Sequence, residues 1–222
     1  MLADKILSFY KTIKLDIPLP DGVEVMNPYV DKTAFALCSA FYKKYYANNG
    51  CRRMILGINP GRFGAGVTGV PFTDPVKLEQ CGIPNALKKK TELSADFIYT
   101  MIDQYGGPGK FYNDYYISAL SPLGFTKDGK NLNYYDIKEL QRAVEPFMIK
   151  CIRTQLDFGM DRYIGFCLGE GENFKYLQRL NQQHKFFGRI EPLAHPRFIM
   201  QYRRKFLNEY IIRYLEKLAI GE

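Results

Sequence analysis

Tryptophan is absent from this sequence, histidine occurs only twice, and no two of the five cysteines stand in a C-x-x-C spacing. Without clustered cysteine and histidine ligands, we expect neither a structural zinc nor an iron–sulfur cluster, and we predict no metal or other cofactor. The odd number of cysteines also argues against a disulfide framework. We therefore expect reduced thiols that pack as small hydrophobic groups in a cytoplasmic protein.

The chain also lacks the apolar runs that cross membranes. No stretch approaches the roughly 20 apolar residues of a membrane span, and the first residues do not follow the charged-then-apolar order of a signal peptide. The sequence thus predicts a protein without membrane contact. Its net charge of +8 favours an anionic partner such as nucleic acid, although a basic surface can also serve solubility alone.

The composition and the apolar patterns of the sequence predict one α/β domain over residues 1–222. The hydrophobic content of 46% suffices for one large core, and no repeat or linker-like segment divides the chain. Short apolar segments alternate with amphipathic ones, which indicates a central four-stranded, mainly parallel sheet flanked by helices on both faces. The predicted strands are 53–58, 115–120, 162–168 and 187–193.

The predicted helices surround these strands. We expect residues 1–30 to form an N-terminal helix and an irregular connection, and residues 121–133 to form a loop. Asp31 and Asp74 are predicted N-caps, and Pro146 is expected to break or kink its helix. Asp74 is also the carboxylate nearest the loop described next, so a general-base role is the alternative for it. The helices are predicted at 3–15, 31–48, 75–81, 94–104, 136–157, 172–183 and 201–218.

The most distinctive segment, GINPGRFGAGVTGVPF over residues 57–72, follows the first of these strands. Open α/β proteins bind ligands at the carboxyl ends of their strands, and glycines let the backbone approach a ligand closely. The segment does not end in the Gly-Lys-Ser/Thr of a Walker A loop, and its glycine spacing differs from the dinucleotide fingerprint. It predicts a ligand loop, with a purely structural glycine turn as the alternative.

The order of residues in this loop resembles the first motif of the single-strand-selective monofunctional uracil-DNA glycosylases, within the uracil-DNA glycosylase superfamily. The second motif of that group begins His-Pro and follows the last strand, and Ala194-His195-Pro196-Arg197 stands in the matching place. The resemblance implies the fold of that superfamily. It also implies a DNA glycosylase that removes uracil from DNA by base flipping, in base excision repair.

The resemblance implies a role for each residue of this chain that matches a residue of the family's motifs. Asn59 matches the residue that orients the attacking water, and His195 matches the donor that hydrogen-bonds uracil O2 as negative charge develops there. Phe72 matches the ring that stacks on the flipped base. The alternatives are purely structural roles: an Asx turn at Asn59, a structural histidine at His195 and a core phenylalanine at Phe72. Further candidates for base binding are Gly61, Phe63, Ser118 and Ala119.

At Ala119 the chain departs from the family pattern, which has an asparagine there to read uracil. Ala119 offers only backbone groups, so Ser118 or the main chain would have to read the base. A broader pocket that admits xanthine or hypoxanthine is therefore a second expectation.

DNA, single- or double-stranded, is the implied partner of a monomeric protein. In the family, the segment after the catalytic histidine wedges into the DNA, which implies DNA contacts for Arg197 and Phe198. Phosphate contacts are expected from Arg203, Arg204 and Lys205. The resemblance implies no lysine nucleophile, so strand cleavage is not expected. Two other functions stay open: a catalytically silent nucleic-acid-binding module, and a hydrolase or transferase of free nucleosides.

Overall fold

The computed structural model describes residues 1–220. The strands are β1 (Val23–Met26), β2 (Arg53–Gly57), β3 (Tyr115–Ala119), β4 (Gly124–Lys127), β5 (Lys130–Leu132), β6 (Ile164–Leu168) and β7 (Arg189–Leu193). The helices are α1 (Leu2–Thr12), α2 (Lys32–Tyr45), α3 (Ala65–Thr68), α4 (Pro75–Gln80), α5 (Leu93–Tyr105), α6 (Pro108–Asp114), α7 (Lys138–Leu156), α8 (Glu172–His184), α9 (Pro196–Tyr202) and α10 (Leu207–Leu218). In this part of the chain, no helix has the length and apolar character needed to cross a membrane.

The central sheet has the order β3-β2-β6-β7, and each neighbouring pair of strands is parallel. Every residue of β3 and β6 is buried, as expected for strands covered on both faces. This confirms the predicted four-stranded parallel sheet flanked by helices. Because the strands are parallel, their carboxyl ends meet at one edge, where Gly57 pairs with Ala119.

A second sheet, which the sequence analysis missed, consists of β1, β4 and β5 in antiparallel pairing. The predictions of an irregular connection before residue 31 and of a loop over 121–133 are wrong at these strands. The strands are short, and β1 meets β4 only across a long stretch of chain, so local periodicity does not reveal them. This sheet adjoins the loop after β2, since a Cβ atom on Gly124 would lie 2.7 Å from the Pro60 carbonyl oxygen.

The predicted last helix, 201–218, is two helices. α9 begins at Pro196, directly after His195, and a 3-10 turn over Arg204–Phe206 separates it from α10. α6, which the sequence did not predict, begins at Pro108 after two glycines. Pro146 lies inside α7, which continues through it.

The two predicted aspartate N-caps are present. Asp31 accepts a hydrogen bond from the first turn of α2 at 2.8 Å. Asp74 accepts from the backbone N–H groups of Val76 and Lys77 at 3.0 and 2.9 Å, and its other oxygen accepts from the Glu92 N–H at 2.9 Å. Three backbone donors thus occupy the Asp74 carboxylate, which favours the structural role over that of a general base.

Candidate active site

A cavity of about 700 Å³ opens at the carboxyl ends of β2 and β3. It brings together residues that are far apart in the sequence, as expected for a ligand site of an open α/β sheet. Arg203, Arg204 and Lys205 are exposed and lie outside the cavity wall. The predicted site residues that line the cavity are Asn59, Gly61, Phe63, Phe72, Ser118, Ala119, His195, Arg197 and Phe198.

Asn59 is held by the second sheet and the turn that follows it. Its Nδ2 donates to the Leu132 carbonyl at 3.1 Å, and its Oδ1 accepts from the Tyr134 N–H at 3.0 Å. A longer bond of 3.4 Å joins Nδ2 to the Pro60 carbonyl. The amide is therefore fixed in one orientation, and one lone pair of Oδ1 is left for a further donor.

Phe72 forms one side of the cavity in a left-handed backbone conformation, with φ of 53°. Such a conformation is uncommon outside glycine and tends to occur at functional sites. The ring packs against the end of β2, and a Cβ atom on Gly57 would lie only 3.0 Å from it. Glycine at position 57 thus makes room for the ring.

His195 faces Phe72, with ring centroids 6.3 Å apart and planes inclined by 54°. It is the N-cap of α9, and its Nδ1 accepts the Arg197 backbone N–H at 3.2 Å. Nδ1 is therefore unprotonated, and the ring proton lies on Nε2. Burial, and secondly the Arg197 charge, lower the pKa of His195 to about 4. At neutral pH the residue is an uncharged imidazole with one N–H donor.

Ser118 is buried, and its hydroxyl donates to Gln155 Oε1 at 2.6 Å. Gln155 also accepts from the Tyr116 hydroxyl at 2.9 Å and donates to the Cys151 carbonyl at 3.0 Å. The Ser118 side chain is thus part of a polar network in the core. Of the two alternatives expected for reading the base, the Ser118 hydroxyl has its proton committed to Gln155, which favours the other alternative, the main chain.

The outer rim of the cavity is aromatic and basic. Phe63 is 40% exposed, with Lys90 Nζ 3.4 Å from its ring centroid. On the opposite element, α9, the rings of Phe198 and Tyr202 are 5.8 Å apart, and the Arg203 guanidinium lies 5.5 Å from Phe198. Exposed rings beside cations are typical of surfaces that bind nucleic acid.

The sequence analysis missed several residues of the cavity wall. Four lie where a loop or a different helix start was predicted, so no local pattern pointed to the site. Gln201 and Tyr202 were predicted to begin the last helix, although an aromatic beside the basic Arg203-Arg204-Lys205 run was a usable signal. Among the polar and aromatic residues that were not predicted are Glu92, Asn131, Asn133, Tyr135, Gln201 and Tyr202.

The cavity suits a flat ring that carries hydrogen-bonding groups. An aromatic side chain stands opposite a neutral N–H donor, and a fixed amide lies on the adjoining wall. Within residues 1–220, no group of three His, Cys, Asp or Glu side chains is placed to hold a metal ion. The fold and the cavity together define an α/β protein with a ligand-sized cavity at its strand ends.

Comparison with known proteins gives the family. The model of the uracil DNA glycosylase superfamily matches residues 44–219. The crystal structure of wild-type SMUG2 from Pedobacter heparinus matches with a TM-score of 0.95 and 47% sequence identity, over 97% of this chain and 95% of that chain. Among curated proteins, none matches the sequence. The chain belongs to the uracil DNA glycosylase superfamily, which confirms the resemblance of its two motifs and makes it a DNA glycosylase, a hydrolase of DNA repair.

Proposed function

We propose that this protein is a monofunctional glycosylase of base excision repair. It would hydrolyse the N-glycosidic bond of uracil in DNA, and also of xanthine or hypoxanthine. One observation carries the proposal: His195, held as an uncharged N–H donor, faces the Phe72 ring across a cavity large enough for a base. The proposal extends the superfamily assignment to a substrate range and a mechanism.

The cavity lies at the strand ends and is lined by side chains and backbone of the protein, so a base within a duplex could not reach it. The target base would leave the stack and enter between Phe72 and His195. Stacking on the ring would contribute roughly 1–3 kcal/mol with little preference among bases. Arg197 and Phe198, exposed at the rim, are suited to fill the gap left in the DNA.

Breaking the bond sends its electron pair onto the departing base and leaves an oxocarbenium-like sugar. His195 Nε2–H would donate to uracil O2, where negative charge grows. A neutral imidazole carries no charge, so burying it does not carry the cost of desolvating one. Its N–H is already fixed in place and need not reorient during the reaction. The hydrogen bond from Arg197 N–H to Nδ1 keeps the donor on the correct nitrogen.

Asn59 would orient the attacking water. Its Oδ1 has one lone pair left after accepting from Tyr134, and a water proton can occupy it. A neutral amide is a poor base, so it positions the water without removing a proton early. The path is then dissociative, in which the base departs before the water bonds to C1′.

Base selection rests on the main chain near Ala119. A side-chain amide that pairs with uracil N3–H and O4 would discriminate strongly against other bases. Ala119 lacks one, and the Ser118 hydroxyl donates to Gln155. These two observations support a range that includes deaminated purines.

The test is base release from labelled oligonucleotides that carry one uracil, xanthine, hypoxanthine or mismatched thymine, each as single strand and as duplex. The reaction contains a chelator, and abasic sites are revealed by alkali. We expect uracil release under these conditions, with purine release as the second activity. Strand cleavage before alkali treatment would contradict the monofunctional assignment.

Two outcomes would favour the other functions. Normal DNA binding without release of any base would indicate a silent binding module. Turnover of free nucleosides, together with weak DNA affinity that hardly depends on salt, would indicate a nucleoside hydrolase or transferase.

A further inference from the structure

Glu92 occupies the N-cap position of α5, but its carboxylate does not cap that helix. Its backbone N–H donates to Asp74 at 2.9 Å, which fixes the main chain at this point. The side chain is half-buried and reaches into the cavity wall instead. The carboxylate therefore lines the cavity without a structural task in its own helix.

The carboxylate lies against the glycine loop that follows Asn59. A Cβ atom on Gly64 would collide with Oε2 and Cδ of Glu92, so glycine at this position makes room for the acid. A Cβ atom on Gly61 would lie 3.6 Å from Oε1 of Glu92 and 3.5 Å from Asn131 Nδ2. The acid thus lies near the loop at Gly61, two residues after Asn59, and lines the same cavity.

Hydrolysis needs an acceptor for a proton of the water, and the other residues of the site are unsuited to that task. Asn59 is neutral. His195 Nδ1 already accepts from the Arg197 N–H, and with a pKa of about 4 the ring is a weak base. Of the cavity-lining side chains in the described part of the chain, Glu92 is the only carboxylate.

The groups around this carboxylate shift its pKa in the direction that a general base requires. Burial, and secondly the charge of Asp74, raise the pKa of Glu92 above its ordinary value. The charges of Arg197 and Lys90 and the Gly64 N–H oppose this shift and favour the ionised form. A carboxylate whose pKa is raised toward neutral pH is a more effective general base while it stays ionised.

We propose that Glu92 is the catalytic base that accepts the proton of the hydrolytic water. The inference rests on the proposed function. As the C1′–N bond breaks, its electron pair leaves with the base, and the water oxygen bonds to C1′. One water proton passes to the Glu92 carboxylate and from there to solvent, and the departed base anion takes up a proton from solvent. The products are a 1′-hydroxyl abasic site and the free base. The negative charge of Glu92 also stabilises the cationic sugar.

The first test compares Glu92→Gln with the wild type in single-turnover uracil release. Glutamine keeps the shape and an oxygen for the Gly64 N–H, but it cannot take a proton. We expect the rate to fall by about 10²-fold or more, with DNA affinity and melting temperature unchanged. The fall in rate that the wild type shows on acidification through the Glu92 pKa should be absent from the variant. Glu216→Gln, an exposed change on α10, is the matched control and should retain the wild-type rate.

The second test uses Glu92→Ala with sodium azide. Azide attacks C1′ without losing a proton, so it should restore base release and leave a 1′-azido sugar, detectable by mass spectrometry. An active wild type whose rate Glu92→Gln leaves unchanged would overturn the role of Glu92 alone. So would a slow Glu92→Ala variant that azide fails to accelerate, because that result would indicate a residue that only holds the loop. An inactive wild type would instead overturn the proposed function itself.

Discussion

The two sheets contribute to the cavity in different ways. The ends of the parallel strands carry the groups assigned to the reaction, His195 after β7 and Phe72 in the loop after β2. The antiparallel sheet contributes mainly support: the backbone at Leu132 and Tyr134 holds the Asn59 amide. Reacting groups therefore lie close in sequence to strand ends, whereas the fixation of Asn59 depends on a sheet assembled from distant segments.

The largest effect is expected at His195, on the parallel-sheet side. Replacing it by asparagine keeps an oxygen that can cap α9, but the side chain is shorter, so its N–H group does not reach the position of the Nε2–H donor. We expect the single-turnover rate of uracil release to fall by about 10²–10³-fold, the usual cost of losing one preorganised donor. DNA affinity should change little, because the donor acts on charge that develops in the transition state.

The other histidine supplies the control: His184→Ala, at the end of α8, should keep the wild-type rate.

The pH dependence of stability gives a second measurement on His195. Because the pKa of His195 is lowered from 6.5 to about 4, the unfolded chain binds its proton in this window while the folded chain does not. The free energy of unfolding of the wild type should therefore fall as the pH drops from 6.5 to 4. The fall should be smaller in the His195→Asn variant. Equal pH dependence in both proteins would contradict the buried, neutral histidine.

The contrast between local strand ends and a sheet assembled from distant segments also explains which features could be predicted from the sequence. The strand before Gly57, the Asp74 cap and the two motifs are local patterns, and all are found where they were expected. The partners of Asn59 were not predictable, since they belong to strands with weak periodicity that pair across the chain. The Ser118 hydroxyl was one of two alternatives for reading the base, and nothing near it in the sequence points to its partner Gln155, which α7 supplies.

Asn59→Asp tests the supporting side of the cavity. The aspartate cannot donate to the Leu132 carbonyl when ionised, and it places a negative charge beside that oxygen. We expect the free energy of unfolding at pH 7 to fall by about 1–3 kcal/mol. The unfavourable contact raises the pKa of the introduced acid in the folded state above the unfolded value of about 4. The deficit should therefore shrink as the pH falls from 7 toward about 4, because the protonated acid can donate.

Urea unfolding at pH 7 and at pH 4 measures this deficit, with Asn208→Asp on the exposed surface of α10 as the control. The control should change stability by no more than about 0.5 kcal/mol at either pH. Hydrogen exchange should show faster exchange in β4 and β5 for Asn59→Asp only. If the hairpin exchanges as slowly as in the wild type, Asn59 does not tie the two sheets together.

The smallest effect concerns base selection at Ala119, where β3 ends beside Gly57. Ala119→Asn adds an amide whose donor and acceptor can pair with uracil O4 and N3–H. Xanthine carries the same two groups at O6 and N1–H, but its second ring places them farther from the glycosidic bond, so the same amide cannot pair with them equally well. We expect the ratio of uracil to xanthine release to rise by about tenfold, which corresponds to one hydrogen bond of roughly 1.4 kcal/mol. Ala119→Val is the control, because it adds bulk without hydrogen bonds and should lower both rates together. A ratio that rises equally in both variants would mean that pocket size, and not hydrogen bonding at the end of β3, selects the base.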